Sequence, residues 1–381
     1  MNRLGIVVSH PIQYNSPLFR QLAKTMDVVV IYCHNPSDEE VGMEGFGKKF
    51  QWDQDLISGY RSVFLKNRSK SPSLNKFSGC DCPDMAKTLK NLGVTHIVIY
   101  GWYLKAYLQA LIHAKRLKIK VSVRGDSQLN PEESVYKTLF RKVVYPFLLR
   151  RYDTIFYVGN RNKDYLLKNG ARSGQLSFSP HAIDQSFWHK NRPIAEASDR
   201  KKIIFVWIGK FSEKKRPQDA ISAFTKALPD YPDMELWMIG SGTLYETCTE
   251  MSKNQKSIIF HGFKNQQELK ILLNDANALL LTSNYEETWG LVVNECFSMG
   301  LPSIVSNSCG CSADLIEEGK TGYLFKKGDI EQLKNKILKL AQDLQSDKGR
   351  FSQFIEKKNE MYSFNTIQQG FNRFLNQENE L

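Results

Sequence analysis

Residues 278–295 read Ala-Leu-Leu-Leu-Thr-Ser-Asn-Tyr-Glu-Glu-Thr-Trp-Gly-Leu-Val-Val-Asn-Glu. The apolar run Ala278–Leu281 suits a strand buried on both faces, as in a parallel sheet. A polar loop follows, and then a helical pattern over Leu291–Met299. Ligands of α/β sheets bind beyond the carboxyl ends of the strands, so this loop lies where a ligand is expected. Thr288 is suited to cap the helix, and Gly290 lets a ligand approach the backbone closely. The N–H groups at the helix start, around Leu291, would point at a sugar or phosphate oxygen. Glu287 and Glu295 can each accept hydrogen bonds from the hydroxyls of one extended ligand. A solvated acidic loop beside a surface-facing glutamate accounts for the same residues, so other segments must decide.

Two segments upstream repeat the arrangement. The strand candidate Ile203–Ile208 runs into Gly209-Lys210-Phe211-Ser212-Glu213-Lys214-Lys215-Arg216-Pro217. Pro217 fits the first turn of a helix. A glycine followed by several cations between strand and helix is a place for a diphosphate, although a lysine run is more often a solvated face. The strand candidate Leu236–Ile239 runs into Gly240-Ser241-Gly242, a second glycine-opened turn.

The same alternation fills the chain. Strand candidates in the first half are Leu4–Ser9, Val28–Cys33, His96–Tyr100, Val121–Arg124 and Ile155–Val158, with helical patterns such as Tyr103–Leu117 and Arg161–Lys168 between them. The second half adds Ile258–Phe260, Ser303–Val305 and Tyr323–Phe325 to the strands already named, with helices over Pro217–Leu228 and Gln267–Asn274. Strand-helix alternation of this kind gives doubly wound parallel sheets. The expected fold class is therefore α/β, with two Rossmann-like domains facing across a cleft. The polar, period-free residues 190–202 read as the linker between an N-terminal domain, 1–189, and a C-terminal domain, 203–364. A terminal helical segment, 365–381, is expected to pack back on the first domain.

The chain has 381 residues and a formal charge of +12. That excess implies an anionic partner, set against a basic surface without a role. No paired zinc spacing, basic heptad region or RNP-like run is present, so nucleic acid is not expected. The seven cysteines are odd in number and scattered, and read as reduced thiols in the cytoplasm. Cys80-Asp81-Cys82 and Cys309-Gly310-Cys311 are too closely spaced for the usual zinc pairs. Asp53-Gln54-Asp55 has a D-x-D pattern that holds metals elsewhere, but lies in the wrong half of the chain. No metal and no cofactor is expected.

With these motifs assembled, the C-terminal half resembles retaining glycosyltransferase family 4, which has the GT-B fold. The family's E-x7-E motif matches Glu287 and Glu295, with Gly290 between them. Its phosphate loop matches Gly209, Lys210 and Lys215, with Lys210 where arginine is usual; charge is kept and bidentate geometry is lost. Gly300 to Val305, with Gly310, Asp314, Gly319, Thr321 and Gly322, is also similar to the family. The resemblance is strong over about residues 203–330 and looser in the first half. It implies a nucleotide-sugar donor, with Glu295 on the ribose, Glu287 on the sugar, and Lys210 and Lys215 on the leaving diphosphate. It also implies retention of anomeric configuration, and an acceptor on the N-terminal domain that is a glycan or a lipid-linked saccharide.

Acceptor-side candidates follow the first-half strands. Ser9-His10-Pro11-Ile12-Gln13 departs from the family's glycine-rich turn, so His10 either sits near the reacting carbon or shapes the turn, with Gln13 beside it. Arg124 and Asp126 stand where the family has a histidine, and an Arg–Asp pair fixing a loop is the bland alternative. His181 belongs to a short segment that resembles one near the end of the family's first domain. Lys137–Arg151 carries five basic residues, no acids and many bulky apolar ones. It reads either as a core helix kinked at Pro146 or as a segment for an anionic membrane surface. The expected location is cytoplasmic, and the membrane reading of this segment would add peripheral attachment to the cytoplasmic membrane face. The competing functions are a nucleotide-sugar epimerase on the same scaffold, using Asp126 or His10, and a non-enzymatic nucleotide- or membrane-binding protein. A dehydrogenase is disfavoured because no G-x-G-x-x-G follows the first strand.

Overall fold

The computed structural model describes residues 2–35, 55–189, 202–347 and 349–376, which form two compact units. Most of the linker reading and two residues of the D-x-D triplet, Asp53 and Gln54, lie outside the described residues. Asp55 accepts the backbone N–H groups of Ile57 and Ser58, which hold its carboxyl below the usual range.

The first unit comprises residues 2–35, 55–184 and 364–376. Its strands are β1 Leu4–Val8, β2 Val28–Tyr32, β3 Arg61–Phe64, β4 His96–Tyr100, β5 Lys120–Arg124, β6 Thr154–Tyr157 and β7 Leu176–Phe178. They pair in the order β3-β2-β1-β4-β5-β6-β7, all parallel. The helices are α1 Ser16–Ala23, α2 Met85–Leu92, α3 Lys105–Arg116, α4 Val135–Leu149 and α5 Asn160–Lys168. Side chains alternate across a strand, so β1 feeds two cores. Leu4, Ile6 and Val8 join Leu18, Phe19 and Leu22 of α1. Val7 joins the opposite layer, with Leu89 of α2 and Ala106, Ala110 and Leu111 of α3.

The terminal helix Phe364–Leu375 completes the α1 side. Its Phe364, Ile367, Phe371 and Phe374 are buried against β1, Val98 and Phe156. Phe371 and Phe156 lie 4.9 Å apart between ring centroids. Gly370 permits the close fit, since a Cβ there would stand 2.9 Å from the Phe178 carbonyl oxygen.

β3 and β7 were absent from the sequence reading because they are the edges of this sheet. An edge strand is covered on fewer sides and need not be a continuous apolar run; Arg61–Phe64 is nowhere fully buried. The core-helix reading of Lys137–Arg151 is corrected. Within α4 only Leu149 is buried, while Tyr145 and Leu148 are partly covered. An apolar pattern marks the faces a helix could bury, not which face the fold covers.

The second unit contains residues 185–189 and 202–363. Its strands are β8 Ile203–Ile208, β9 Met234–Ile239, β10 Ile258–Gly262, β11 Ala278–Leu281, β12 Ser303–Ser306 and β13 Gly322–Phe325, in the order β10-β9-β8-β11-β12-β13. This sheet too is parallel throughout. Its helices are α6 Pro217–Ala227, α7 Tyr245–Met251, α8 Gln266–Asp275, α9 Val292–Ser298, α10 Ser312–Leu315, α11 Ile330–Ser346 and α12 Ser352–Met361. Among the described residues no helix is long and apolar enough to cross a membrane.

Replacing the fully buried Phe371 by alanine is expected to cost the first unit about 3–5 kcal/mol, as for other buried phenylalanines. Urea unfolding followed by circular dichroism checks it, and a loss below ~1 kcal/mol would show that the terminal helix does not complete this core.

Candidate functional site

The loops after β8, β9 and β11 leave the same edge of the second sheet, and two of them touch. The Gly209 N–H donates to the Ile239 carbonyl at 3.0 Å, and the Phe211 N–H to the Ser241 carbonyl at 2.9 Å. The approach leaves no room for side chains. Gly240 has φ +138°, and a Cβ there would lie 1.9 Å from the Gly209 carbonyl oxygen; Gly242 has φ +152°, and a Cβ there would lie 2.5 Å from the Phe211 carbonyl oxygen. Glycine is required at both turns by space and by backbone angle. Lys210 follows Gly209 directly and is half-buried.

The β8 and β11 loops are joined through Thr282. The Trp207 indole donates to the Thr282 hydroxyl at 2.9 Å, and that hydroxyl donates to the carbonyls of Lys215 and Arg216 at 2.8 and 2.9 Å. Arg216 is left-handed, with φ +50°, and is held by two hydrogen bonds to Asp219 at 2.7 and 3.0 Å. Pro217 then starts α6. The Asn284 N–H donates to the Lys214 carbonyl at 2.9 Å, closing the second loop on the first.

These bonds deliver Lys215 to Glu287, and the ammonium and carboxylate form an ion pair with side chains only 19 % and 11 % exposed. Burial pushes the Glu287 carboxyl up, but Lys215, Lys214 and a hydrogen bond from Ser283 outweigh it and hold the pKa below the usual value. Gly290 packs beside them: its φ is +106°, and a Cβ there would approach Glu287 Cγ at 3.7 Å. The methylenes of Lys215 border Gly209, with Cδ 3.5 Å from the position of a Cβ. Gly209, Lys215, Glu287 and Gly290 thus form one group. Lys214, Ser283 and Thr282 also belong to it and were not singled out in the sequence. Ser283 and Thr282 directly follow β11, and that position was the available signal.

Thr288 does not cap the helix. α9 begins at Val292 with Leu291 at the capping position, and Val293 donates to the Gly290 carbonyl at 3.0 Å. The positive φ of Gly290 stops the helix from extending back to Thr288, because right-handed helix needs negative φ. The Thr288 carbonyl packs instead on Gly310, where a Cβ would stand 1.7 Å from it. Glu295 is the fourth residue of α9 and 3 % exposed. Burial, then the Glu295 charge, push the neighbouring Cys296 thiol well up. The helix is backed by α12: Tyr362 stacks obliquely on Trp289 with 5.7 Å between centroids and donates to Asp314 at 2.9 Å.

In the first unit the candidates also follow strand ends. His10, after β1, shares a hydrogen bond with Ser9 at 2.9 Å. Burial and then the nearby His34 push it down to about 4, so at neutral pH it is uncharged. Gln13 is half-buried in the next turn. Arg124 is buried at the end of β5 and bonds to the chain after β7: to Ser179 Oγ at 3.3 Å and to the Pro180 carbonyl at 2.7 Å. Its guanidinium also lies 5.3 Å from the Tyr100 ring centre. Asp126 meets His181 at 3.5 Å, and burial lowers His181 despite that carboxylate. Arg124 is therefore spent on joining β5 to the chain after β7, whereas Asp126 and His181 come together from the segments that follow those two strands. Cys80 and Cys82 are buried with Cys33, and the Cys82 thiol donates to the Cys33 carbonyl at 3.3 Å.

Residues 190–358 match the family model described as glycosyl transferases group 1. Over 149 residues the chain is 31 % identical to N-acetyl-alpha-D-glucosaminyl L-malate synthase of Bacillus anthracis, covering 38 % of each protein. Over 263 residues it is 24 % identical to poly(glycerol-phosphate) alpha-glucosyltransferase of Bacillus subtilis, covering 68 % of this chain and 36 % of that one. The chain thus spans under two fifths of the length of these relatives. Among solved structures, Anabaena HepE in complex with UDP and glucose superimposes with a TM-score of 0.72 and 14 % identity, over 99 % of this chain and 100 % of that one. The fold is GT-B.

Lys215→Met leaves the Glu287 carboxylate buried without its direct cation and is expected to cost about 3 kcal/mol at pH 7. Because the folded pKa of Glu287 is lowered, the pair stabilises above the ordinary carboxylate range and is lost as pH falls through the lowered value. The cost should therefore shrink in acid, and adding Glu287→Gln should recover most of it at pH 7. Urea titrations of the three variants at pH 7 and pH 4 check this; additive losses would mean that the two residues do not interact.

Proposed function

Starting from a second unit that belongs to the glycosyl transferases group 1 family, we propose that the chain moves a sugar from a nucleotide-sugar donor to a glycan or lipid-linked saccharide. The observation that carries this reading is the buried Lys215–Glu287 pair beside the glycine turns at Gly209, Gly240 and Gly242. The turns pack the backbones of two strand-end loops against each other and fix the loop that carries Lys210 and Lys215, and the pair sets a cation and a carboxylate side by side. Rupture of a glycosyl–phosphate bond builds negative charge on the leaving group, and a cation fixed in advance stabilises it without reorganisation.

In this reading Lys210 and Lys215 face the diphosphate. An ammonium has three donors, so Lys215 keeps its contact with Glu287 while donating to phosphate. The second carboxylate oxygen of Glu287 accepts from sugar hydroxyls, and Glu295 accepts from the ribose. The lysines supply the charge neutralisation that a metal would otherwise provide. Transfer proceeds with retention of anomeric configuration, the departing phosphate taking the acceptor proton on the face it leaves. His10, Asp126 and His181 of the first unit border the acceptor. The solved complex of HepE with UDP and glucose makes UDP-sugars the first donors to test.

Thermal-shift screening of UDP-, GDP- and ADP-sugars should single out one base, with the same shift in EDTA. Proton NMR of the product should show the anomeric configuration of the donor, and an inverted product would overturn retention. Glu295→Ala should weaken nucleotide binding about tenfold or more, through loss of hydrogen bonds to a charged group. Lys215→Ala should lower kcat about a hundredfold with a smaller change in donor Kd. Wild-type kinetics in both variants would reject the site.

A further inference from the structure

Helix α4 has two apolar faces, and the fold uses one. Leu149 is buried, and Tyr145 and Leu148 pack on the core of the first unit. On the other side Val135, Leu139, Val143 and Phe147 form one stripe at four-residue spacing, and Tyr136, Phe140 and Val144 form the next. All seven are exposed; Val135, Tyr136 and Phe147 are 78 %, 85 % and 74 % exposed. The helix has 15 residues, so the stripe runs about 20 Å at 1.5 Å per residue. A soluble surface rarely leaves so many large apolar side chains together unless something covers them.

The charges indicate the cover. Lys137 and Lys142 flank the stripe on opposite sides, and Arg150 and Arg151 follow its end. All four are exposed, and among the described residues none has an acidic partner. Arg141, on the core side, is neutralised by Glu133 and lies over the Tyr165 ring at 5.5 Å. No acid occurs from Val135 to Arg151. Two copies of the helix laid face to face would set cation against cation, whereas an anionic lipid surface complements every one. Long lysine and arginine side chains at the rim of an apolar face reach phosphate headgroups while their methylenes stay on the apolar side. Tyr136 has the apolar ring and polar tip that suit the headgroup level.

We propose that α4 is a membrane-docking helix, which lies in the plane of an anionic bilayer with Val135, Leu139, Phe140, Val143 and Phe147 among the acyl chains. Acidic lipid headgroups pair with Lys137, Lys142, Arg150 and Arg151. This inference stands on the exposed helix and does not depend on the transferase reading.

The full chain is floated on sucrose gradients with vesicles of phosphatidylcholine alone or mixed with phosphatidylglycerol. It should rise with the anionic vesicles at least tenfold more than with the neutral ones, and 0.5 M salt should release much of it. The pair Lys137→Gln and Lys142→Gln should lower binding roughly 25-fold, about fivefold per cation removed. Leu139→Glu with Phe140→Glu should abolish it while leaving circular dichroism and Tm unchanged, since both residues are exposed. Failure to float with anionic vesicles, or flotation untouched by the glutamate pair, overturns the proposal. So does a dimer in light scattering that the glutamate pair dissolves while vesicle binding is absent.

Discussion

A parallel strand is left at one end of the sheet and its neighbour is entered at the other, so every loop that follows a strand emerges on the same edge. That constraint gathers Gly209 to Arg216, Gly240 to Gly242 and Ser283 to Gly290 on one rim of the second sheet, although they are separated by tens of residues along the chain. It applies to the first sheet as well, where His10, Asp126 and the chain before His181 follow β1, β5 and β7. Candidate chemistry in this protein is loop chemistry, and the sheets decide which loops can meet.

Neighbouring loops still need to be held in register. The second unit does this with Thr282, whose hydroxyl joins Trp207 beneath the sheet edge to two carbonyls of the lysine loop above it. The left-handed Arg216 is a backbone conformation that carries a cost, and it persists because surrounding bonds over-determine it. The product of that rigidity is electrostatic. Glu287 is held below the usual carboxylate value inside the protein because Lys215, Lys214 and a hydrogen bond from Ser283 outweigh its burial. A cation and an anion with few conformational choices are better suited to charge developing in a reaction than the same groups moving in water.

The first unit uses its polar residues differently. Arg124 is consumed in binding Ser179 and Pro180, so one strand-end cation fastens two strands together. Asp126 and His181 remain at the loops, in contact with each other. Beside them in the same unit, α4 shows apolar and basic side chains to the outside while its other face holds the core. The unit thus combines a conventional interior with one helix that is apolar on both sides.

The alternation of apolar runs with helical periods was enough to establish two parallel α/β sheets, because strands buried on both faces are near-continuous apolar runs. The spacing of Glu287, Gly290 and Glu295, and the glycine-lysine loop from Gly209, were also readable, since each is local in the chain. The edge strands β3 and β7 were not, because an edge is defined by neighbours and not by composition. Nor could composition show that Gly290 halts α9 short of Thr288, that Arg124 is committed to Ser179, or which face of α4 stays uncovered. Those facts depend on which residues, distant in sequence, arrive within a few ångströms, and only the folded chain decides that.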